Sequence, residues 1–429
     1  MCIRDSCSGQ VNGRQVGFRW QGNRRLAPDP SPSQEHSHPR SDKSWCSARH
    51  AGKLSRNLGA MSEAGFVGDA VNEAGQALLE KVRHALDHWP DDPGEPAFSD
   101  LALEVFRFQW KANPVYHRWC SVLGWAAEEV AHLSAWTRIP ALPVEAFKWD
   151  VVRTAGVQEE GSACLFRTSG TTGQVQGEHH VATPDVYRSA SARGFQDRFG
   201  PPGPGGAELL ALLPGYLDRP DSSLVHMVRD LRESGWCAPG DSAEAGFFLD
   251  DLEGLFHAID RAWEAGRKPV LLGVTWAMVD AAEAWRKAGR PSMGERAAVL
   301  ETGGMKGRRK EEVREAVHAR LKAGFGCTAI GGEYGMTELL SQAWSLAEGH
   351  YRTPPWMRVR LRRTDDPLTA QTSGATGGLD VIDLANLGSC AFLSTQDLAR
   401  PKGGDPHREF EVLGRFDHAE VRGCNLMVD

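Results

Sequence analysis

The sequence predicts an α/β protein whose central sheet is covered by helices on both faces. From about residue 162, short apolar segments alternate with longer amphipathic segments across short connections, a pattern typical of βαβ units. The 429 residues, of which 41% are hydrophobic, are enough for a large core. The strand candidates are Cys164–Arg167, Glu208–Leu213, Pro269–Val274, Ala297–Glu301 and Thr328–Gly331, and the helix candidates are Thr183–Phe199, Ser222–Glu233, Leu249–Ala265, Trp276–Ala288 and Lys306–Ala323.

Helical segments precede this core and a β-rich segment follows it. Apolar residues repeat at helical spacing over Asn72–Trp89, and Phe98–Leu123 predicts further helix with an interruption near Pro114. The pattern therefore divides the chain into a helical segment (61–150), an α/β core (151–350) and a smaller β-rich subdomain (351–429). The strand candidates of that subdomain are Met357–Leu361, Gly378–Ile382, Cys390–Leu393 and Glu409–Leu413.

Residues 1–60 differ from the rest of the chain. They carry ten Lys/Arg and four Asp/Glu, lack apolar periodicity, and include the proline-rich run Pro28–Ser33, which excludes helix and central strand. We interpret them as a disordered or non-native N-terminal extension, with Met61 favoured as the start of the protein.

Composition excludes several classes of function. A formal net charge of −7 argues against a dedicated nucleic-acid binder, and no apolar run approaches the ~20 residues that a membrane-spanning helix needs. The nine cysteines form no C-x-x-C pair and no Cys/His spacing typical of zinc sites. Scattered cysteines without a signal peptide favour a cytoplasmic location.

The segment Ser169-Gly170-Thr171-Thr172-Gly173 follows the apolar run 163–166 directly. Glycines allow close approach of the backbone to a polyanion, and free N–H groups and hydroxyls donate to phosphate oxygens. A P-loop of the NTPase type is disfavoured because Gln174–Gln176 stand where its lysine is required. A plain strand-to-helix turn is the alternative.

Three later segments carry side chains suited to a nucleotide. In the segment 331–338, Tyr334 can stack on a base, Thr337 can bond a phosphate and Glu338 can bind Mg²⁺; the alternative is a helix N-cap at Thr337 that starts a helix over Leu339–Leu346. Asp397 can accept hydrogen bonds from ribose hydroxyls, or it is a solvated turn residue. Arg415 can reach ribose or phosphate.

Together, these segments resemble the adenylate-forming ligase superfamily. SGTTG (169–173), YGMTE (334–338), TQDLAR (395–400) and GRFD (414–417) stand in the order of that superfamily's signatures. Within it, the chain is most similar to the acyl-protein synthetases of bacterial luminescence systems (the LuxE type), from about Ala97 to its end. The stretches that carry this closer resemblance are Leu212–Leu231, Tyr334–Ser345, Pro354–Val359, Leu379–Ala399 and Gly414–Val428.

The resemblance implies an adenylate-forming ligase-like N-terminal domain that activates a fatty or other carboxylic acid with ATP and Mg²⁺. It implies that the loop 169–173 holds the β- and γ-phosphates and that Gly303 and Gly304 let the chain pass close to the nucleotide. The roles that it implies for single residues are adenine contact for Tyr334, followed by Gly335 in the same motif, α-phosphate contact for Thr337, Mg²⁺ binding for Glu338, and ribose contact for Asp397 and Arg415.

The resemblance also implies transfer of the acyl group to a protein cysteine and then to a partner such as an acyl reductase. Cys424 matches the acceptor position, and Arg422 can favour its thiolate; a buried structural thiol is the alternative. Cys390 is the next candidate, although its setting predicts a core strand. Because the chain stops just after the hinge motif, the superfamily's C-terminal domain and its lysine are expected to be absent or vestigial. An aryl- or acyl-CoA ligase and a non-catalytic nucleotide-binding scaffold remain as alternatives.

Overall fold

A computed structural model describes residues 69–158, 163–168, 175–215, 217–303, 314–371 and 374–416. All of them belong to one compact unit, Met61–Asp429. The expected extension 1–60, the loop 169–173, Gly304 and Cys424 lie outside the described residues. The domain boundaries derived from the sequence stay predictions.

Helices and strands follow one another through most of the described chain. The helices are α1 (Asp69–His88), α2 (Glu95–Ala112), α3 (Pro114–Val122), α4 (Ala127–His132), α5 (Pro184–Phe199), α6 (Ser223–Glu233), α7 (Leu252–Glu264), α8 (Thr275–Lys287) and α9 (Arg314–Phe325). The strands are β1 (Leu142–Pro143), β2 (Cys164–Arg167), β3 (Glu178–Val181), β4 (Ala207–Leu212), β5 (Lys268–Val274), β6 (Ala298–Thr302), β7 (Gly331–Tyr334), β8 (Ala343–Ser345), β9 (Tyr351–Arg352), β10 (Met357–Arg362), β11 (Gly377–Asp383), β12 (Phe392–Pro401) and β13 (Glu409–Arg415).

Over the described residues, one 11-stranded mixed sheet has the order β10-β11-β12-β13-β9-β8-β7-β6-β5-β4, with β1 parallel to β12. Strands β4 to β7 are parallel, whereas β8 returns antiparallel to β7 and pairs with β9. The same sheet thus runs through the α/β core and the β-rich segment. Strands β2 and β3 form a separate hairpin.

Helices pack on both faces of the parallel part of the sheet. In β4, Leu209 and Ala211 join one hydrophobic cluster, while Leu210 and Leu212 join the other, as alternation along a strand requires. The first cluster contains residues of α5 and α6, and the second contains residues of α7, α8 and α9. The predicted α/β fold with helices on both sheet faces is confirmed. None of the described helices combines the length and apolar character needed to cross a membrane.

Three predicted elements were wrong in type or position. The helix expected over Leu339–Leu346 does not form: a turn leads into the short strand β8. The predicted strand Cys390–Leu393 begins only at Phe392, so Cys390 lies before β12. A second strand is displaced, because β7 starts at Gly331, where the predicted strand ended.

The displacement of β7 has a steric reason. A Cβ atom on Gly331 would lie 2.2 Å from the carbonyl oxygen of Ser345, and one on Gly332 would lie 2.7 Å from the hydroxyl of Tyr351. Only glycine lets β8 and Tyr351 come this close. The glycines therefore belong to the strand itself and not to a loop after it.

Candidate nucleotide site

The carboxyl ends of β5, β6 and β7 meet at one edge of the sheet, where α/β proteins bind ligands. Gly303 directly follows β6 and has φ 69°, a conformation that glycine adopts far more readily than other residues. The hydroxyl of Thr275, at the start of α8, lies 2.5 Å from the Gly303 carbonyl oxygen and 2.7 Å from Glu301 Oε2. The turn at Gly303, which is expected to pass close to the nucleotide, is therefore held by Thr275, the residue that directly follows β5.

The hairpin β2–β3 frames the predicted phosphate loop. The Thr168 amide donates to the Gly177 carbonyl at 3.0 Å, and the Gly177 amide donates to Thr168 Oγ1 at 2.8 Å. A Cβ atom on Gly177 would lie 3.6 Å from Glu338 Oε1. Thr168 and Gly177, which flank the loop on either side, are thus bonded to each other, and Gly177 lies beside Glu338.

Tyr334, Asp397 and Arg415 come together although 81 positions separate the first from the last in the sequence. The Tyr334 hydroxyl donates to Asp397 Oδ2 at 2.8 Å, and Arg415 Nε lies 3.4 Å from Asp397 Oδ1. Asp397 lies inside β12, directly opposite Arg415 of β13, and only 8% of it is exposed. The alternative of a solvated turn aspartate is therefore wrong.

Glu338 is buried beside this group. Burial raises the pKa of its carboxyl to about 7, although Arg415 and Lys148 favour the charged form. The Glu338 carbonyl accepts a hydrogen bond from Asn386 Nδ2 at 2.8 Å. Within the described ranges, the carboxylate makes no hydrogen bond to another side chain.

The surroundings of the Glu338 carboxylate are compatible with the binding of a cation. Among the described residues, no group of three or more His, Cys, Asp or Glu side chains is arranged to hold a metal ion. Mg²⁺ at a nucleotide needs no such group, because it is commonly bound by one or two carboxylates together with substrate phosphates. A buried carboxylate beside Gly177, without a hydrogen bond to another described side chain, suits that mode of binding.

The turn after Glu338 is fixed by Asp383. Asp383 Oδ2 accepts hydrogen bonds from the amides of Leu340 and Ser341, both at 2.9 Å, and Oδ1 accepts one from Ser341 Oγ at 2.7 Å. Trp356 Nε1 donates to Ser341 Oγ at 2.9 Å. The chain turns here and then enters β8 without forming a helix, so the alternative of an N-cap at Thr337 is wrong.

Solved structures with a similar fold include a CoA ligase that was solved in complex with 2-HIB-AMP. No family model matches the chain, and no curated protein matches it in sequence. An open conformation of 2-hydroxyisobutyryl-CoA ligase in complex with 2-HIB-AMP and CoA is 13% identical with a TM-score of 0.52, covering 76% of this chain and 77% of that one. The same ligase in the postadenylation state is 14% identical with a TM-score of 0.54, covering 75% and 68%. The chain therefore shares its fold with this ligase.

His179 is a residue of this site that the sequence analysis missed. It is fully buried in β3, and its Nδ1 lies 2.7 Å from the carbonyl oxygen of Thr337, to which it donates. Burial lowers the pKa of its ring to about 4, so the ring is neutral at physiological pH. His179 thereby joins the strand after the phosphate loop to the motif that carries Glu338. The sequence analysis predicted no strand over Glu178–Val181, so nothing in the local pattern marked this histidine.

Replacement of His179 by Ala is expected to lower any acid-dependent ATP–pyrophosphate exchange by the chain about 10- to 100-fold, because Thr337 and Glu338 lose the contact that positions them. His179→Asn, which keeps a donor near Nδ1, is expected to restore most of the rate. The neighbouring His180 is partly exposed and provides the control variant His180→Ala, for which we expect nearly wild-type rates. Equal losses in both alanine variants would contradict the positioning role.

The free energy of unfolding at acid pH gives a second test of the buried, neutral His179. Since the pKa of His179 is lowered from 6.5 to about 4, its contribution is present above pH 6.5 and is lost as the pH falls towards 4. We expect the wild type to lose up to about 3 kcal/mol more than His179→Asn over that interval, measured by urea unfolding at each pH.

Cys390 is unsuited to accept an acyl group in this structure. It is fully buried, and burial raises the pKa of its thiol far above the usual range, which disfavours the nucleophilic thiolate.

Of the residues predicted for the site, the described structure brings together Tyr334, Thr337, Glu338, Asp397 and Arg415, with Gly335 between the first two.

Proposed function

We propose that the chain is an ATP-dependent acid–thiol ligase of the acyl-protein synthetase type, acting in the cytoplasm. In this proposal it converts a fatty or other carboxylic acid to an acyl-adenylate and transfers the acyl group to a protein cysteine. The contact of Tyr334, Asp397 and Arg415 beside the buried Glu338, within an adenylate-forming ligase fold, is the observation that carries the proposal.

Each residue of the site has a role in binding ATP. The Asp397 carboxylate accepts hydrogen bonds from the ribose hydroxyls, and Tyr334 and Arg415 hold that carboxylate in place. The guanidinium of Arg415, whose side chain is 66% exposed, remains accessible to the nucleotide. Thr337 contacts the α-phosphate, and the loop 169–173 holds the β- and γ-phosphates. Glu338 would hold Mg²⁺, which neutralises phosphate charge when bound.

The first reaction needs positioning and charge neutralisation more than a covalent residue. A carboxylate oxygen of the acid attacks the α-phosphorus and forms a P–O bond, the bond from the α-phosphorus to the oxygen bridging to the β-phosphate breaks, and pyrophosphate leaves. Two anions must be brought together, so a fixed cation site and donors provide most of the rate enhancement. In the second reaction a thiol attacks the acyl carbon and AMP leaves.

The identity of the final thiol separates two candidate functions. The resemblance favours a protein thiol, for which Cys424 is its candidate, and an acyl reductase or another acceptor protein as the partner. The similar ligase that was solved with both an acyl-adenylate and CoA favours an acyl-CoA ligase as the second candidate.

Product analysis tests the proposal. We expect the full chain with ATP, Mg²⁺ and a panel of acids to release AMP, and hydroxylamine to trap the activated acid as a hydroxamate. Added CoA should not accelerate AMP release for a protein acylase, whereas strong acceleration would identify the CoA ligase. Absence of hydroxamate with every acid would overturn the adenylating function and leave a nucleotide-binding scaffold.

A further inference from the structure

A polar cluster that the nucleotide contacts do not use lies at the carboxyl ends of β6 and β7; it consists of Thr302, Glu333 and Gln342. Thr302 is the last residue of β6, and its hydroxyl donates to Glu333 Oε2 at 2.6 Å. A Cβ atom on Gly335 would lie 2.3 Å from Glu333 Oε1 and 3.3 Å from Cγ of Gln342. Glu333 and Gln342 therefore meet on the side of Gly335 to which a side chain would point.

Glu333 lies on the sheet face that α5 covers. It is directly opposite Trp344 of β8, and directly opposite residues of antiparallel strands share a face. The Trp344 ring centroid lies 5.6 Å from that of Phe195 in α5. Because side chains alternate along a strand, Tyr334, which contacts Asp397, points to the other face. The polar cluster thus stands on the opposite side of β7 from the ribose contacts.

The cluster has more acceptors than donors. Gln342 is only 6% exposed, and its Oε1 has no hydrogen-bond partner. Within the described chain, Glu333 accepts a hydrogen bond from Thr302 alone, and it remains partly exposed. Burial raises the pKa of Glu333 to about 7. Buried acceptors without donors are unfavourable, so a ligand that supplies donors to both side chains would stabilise the cluster.

The chemistry of the cluster limits what can bind there. A carboxylate repels phosphate groups, so the cluster does not extend the phosphate site. In the proposed function the acid lies next to the α-phosphate, which the motif 334–338 contacts, and Glu333 directly precedes that motif. An ammonium group has several donors and a positive charge, which match a carboxylate and an amide oxygen.

We propose that Glu333 and Gln342, with Thr302 positioning the carboxylate, recognise an amino group on the acid, so that the substrate is an amino acid and not an unsubstituted fatty acid. The inference rests on the proposed function and specifies the substrate of the same site. The ammonium group donates to Glu333 Oε1 and Gln342 Oε1, while the carboxylate of the same molecule attacks the α-phosphorus. These side chains determine specificity and take no part in bond making.

Matched pairs of acids test the recognition. ATP–pyrophosphate exchange is measured with amino acids whose amino group lies at increasing distance from the carboxylate, and with the unsubstituted acids of the same chain lengths. We expect the best amino acid to exceed its unsubstituted counterpart at least about 10-fold in kcat/KM, because the counterpart leaves the acceptors unpaired. Exchange that is equal or faster with every unsubstituted acid overturns this inference and leaves the proposed function. No exchange with any acid overturns both.

Substitution of Glu333 locates the recognition. We expect Glu333→Leu to lower the preference for the amino acid at least about 10-fold and to leave the KM for ATP nearly unchanged. Glu333→Gln keeps an acceptor and the side-chain shape, so it should lower the preference less, and it provides the test if the leucine variant does not fold. Exposed Glu253 provides the control Glu253→Gln, which should keep the wild-type preference. Equal losses for both acids of a pair, or a raised KM for ATP, would overturn the inference.

Discussion

Replacement of Asp383 by Ala is expected to lower the free energy of unfolding by about 3–5 kcal/mol. The substitution leaves buried donors of Leu340, Ser341 and Ala385 without their acceptor. Burial raises the pKa of Asp383 despite these bonds, so the carboxyl stands in a site that water does not reach. Equilibrium unfolding in urea measures the change.

Two variants serve as controls for Asp383. Asp383→Asn keeps one acceptor and the side-chain shape, so we expect a smaller loss. Asp365 pairs with Arg363 at the surface, and Asp365→Ala should leave the unfolding midpoint nearly unchanged. If Asp383→Ala were as stable as Asp365→Ala, the turn after Glu338 would not depend on this carboxylate.

Glu338→Gln is expected to reduce acid-dependent ATP–pyrophosphate exchange by at least about 100-fold and to make the nucleotide-free protein more stable at neutral pH. The activity falls because a neutral amide binds Mg²⁺ weakly. The stability rises because burial raises the pKa of Glu338 from 4.5 to about 7. Its folded-state pKa is above the unfolded one, so its contribution is full below pH 4.5 and is lost as the pH rises to 7.

The pH dependence distinguishes this explanation from simple structural damage. Glutamine does not titrate, so the stability advantage of Glu338→Gln should grow from pH 4.5 to 7 by up to about 3 kcal/mol. Exposed Glu253 on α7 provides the control variant Glu253→Gln, which should change neither exchange nor this slope. Loss of both stability and activity in Glu338→Gln would show that the carboxyl is structural.

The sequence predicted those parts of the fold that depend on local pattern. The pattern of apolar residues located β5 and α8 to within one residue. Each of these elements buries residues of its own segment, so the local sequence is enough to place it. The glycine-rich strand β7 was displaced because its glycines serve contacts with Ser345 and Tyr351. The helix expected over Leu339–Leu346 was wrong: the chain turns there into β8, and the turn is held by Asp383, more than forty positions later.

At the candidate site too, local sequence pattern predicted individual residues but not their contacts with distant elements. Motif order singled out Tyr334, Asp397 and Arg415, and the structure brings them into contact. The position of Asp397 inside β12, and not in a turn after a strand, follows from strand pairing that no local pattern contains. His179 was missed because a histidine acquires its role from partners on other elements, here the carbonyl of Thr337.

Acid-dependent exchange of labelled pyrophosphate into ATP is the most direct test of the central claim, that Tyr334, Asp397, Arg415 and Glu338 form an adenylation site. We predict exchange by the full chain that requires both Mg²⁺ and a carboxylic acid, that falls strongly in Glu338→Gln, and that is unchanged in Glu253→Gln. Exchange that is absent with every acid, or that survives Glu338→Gln at the wild-type rate, would contradict it.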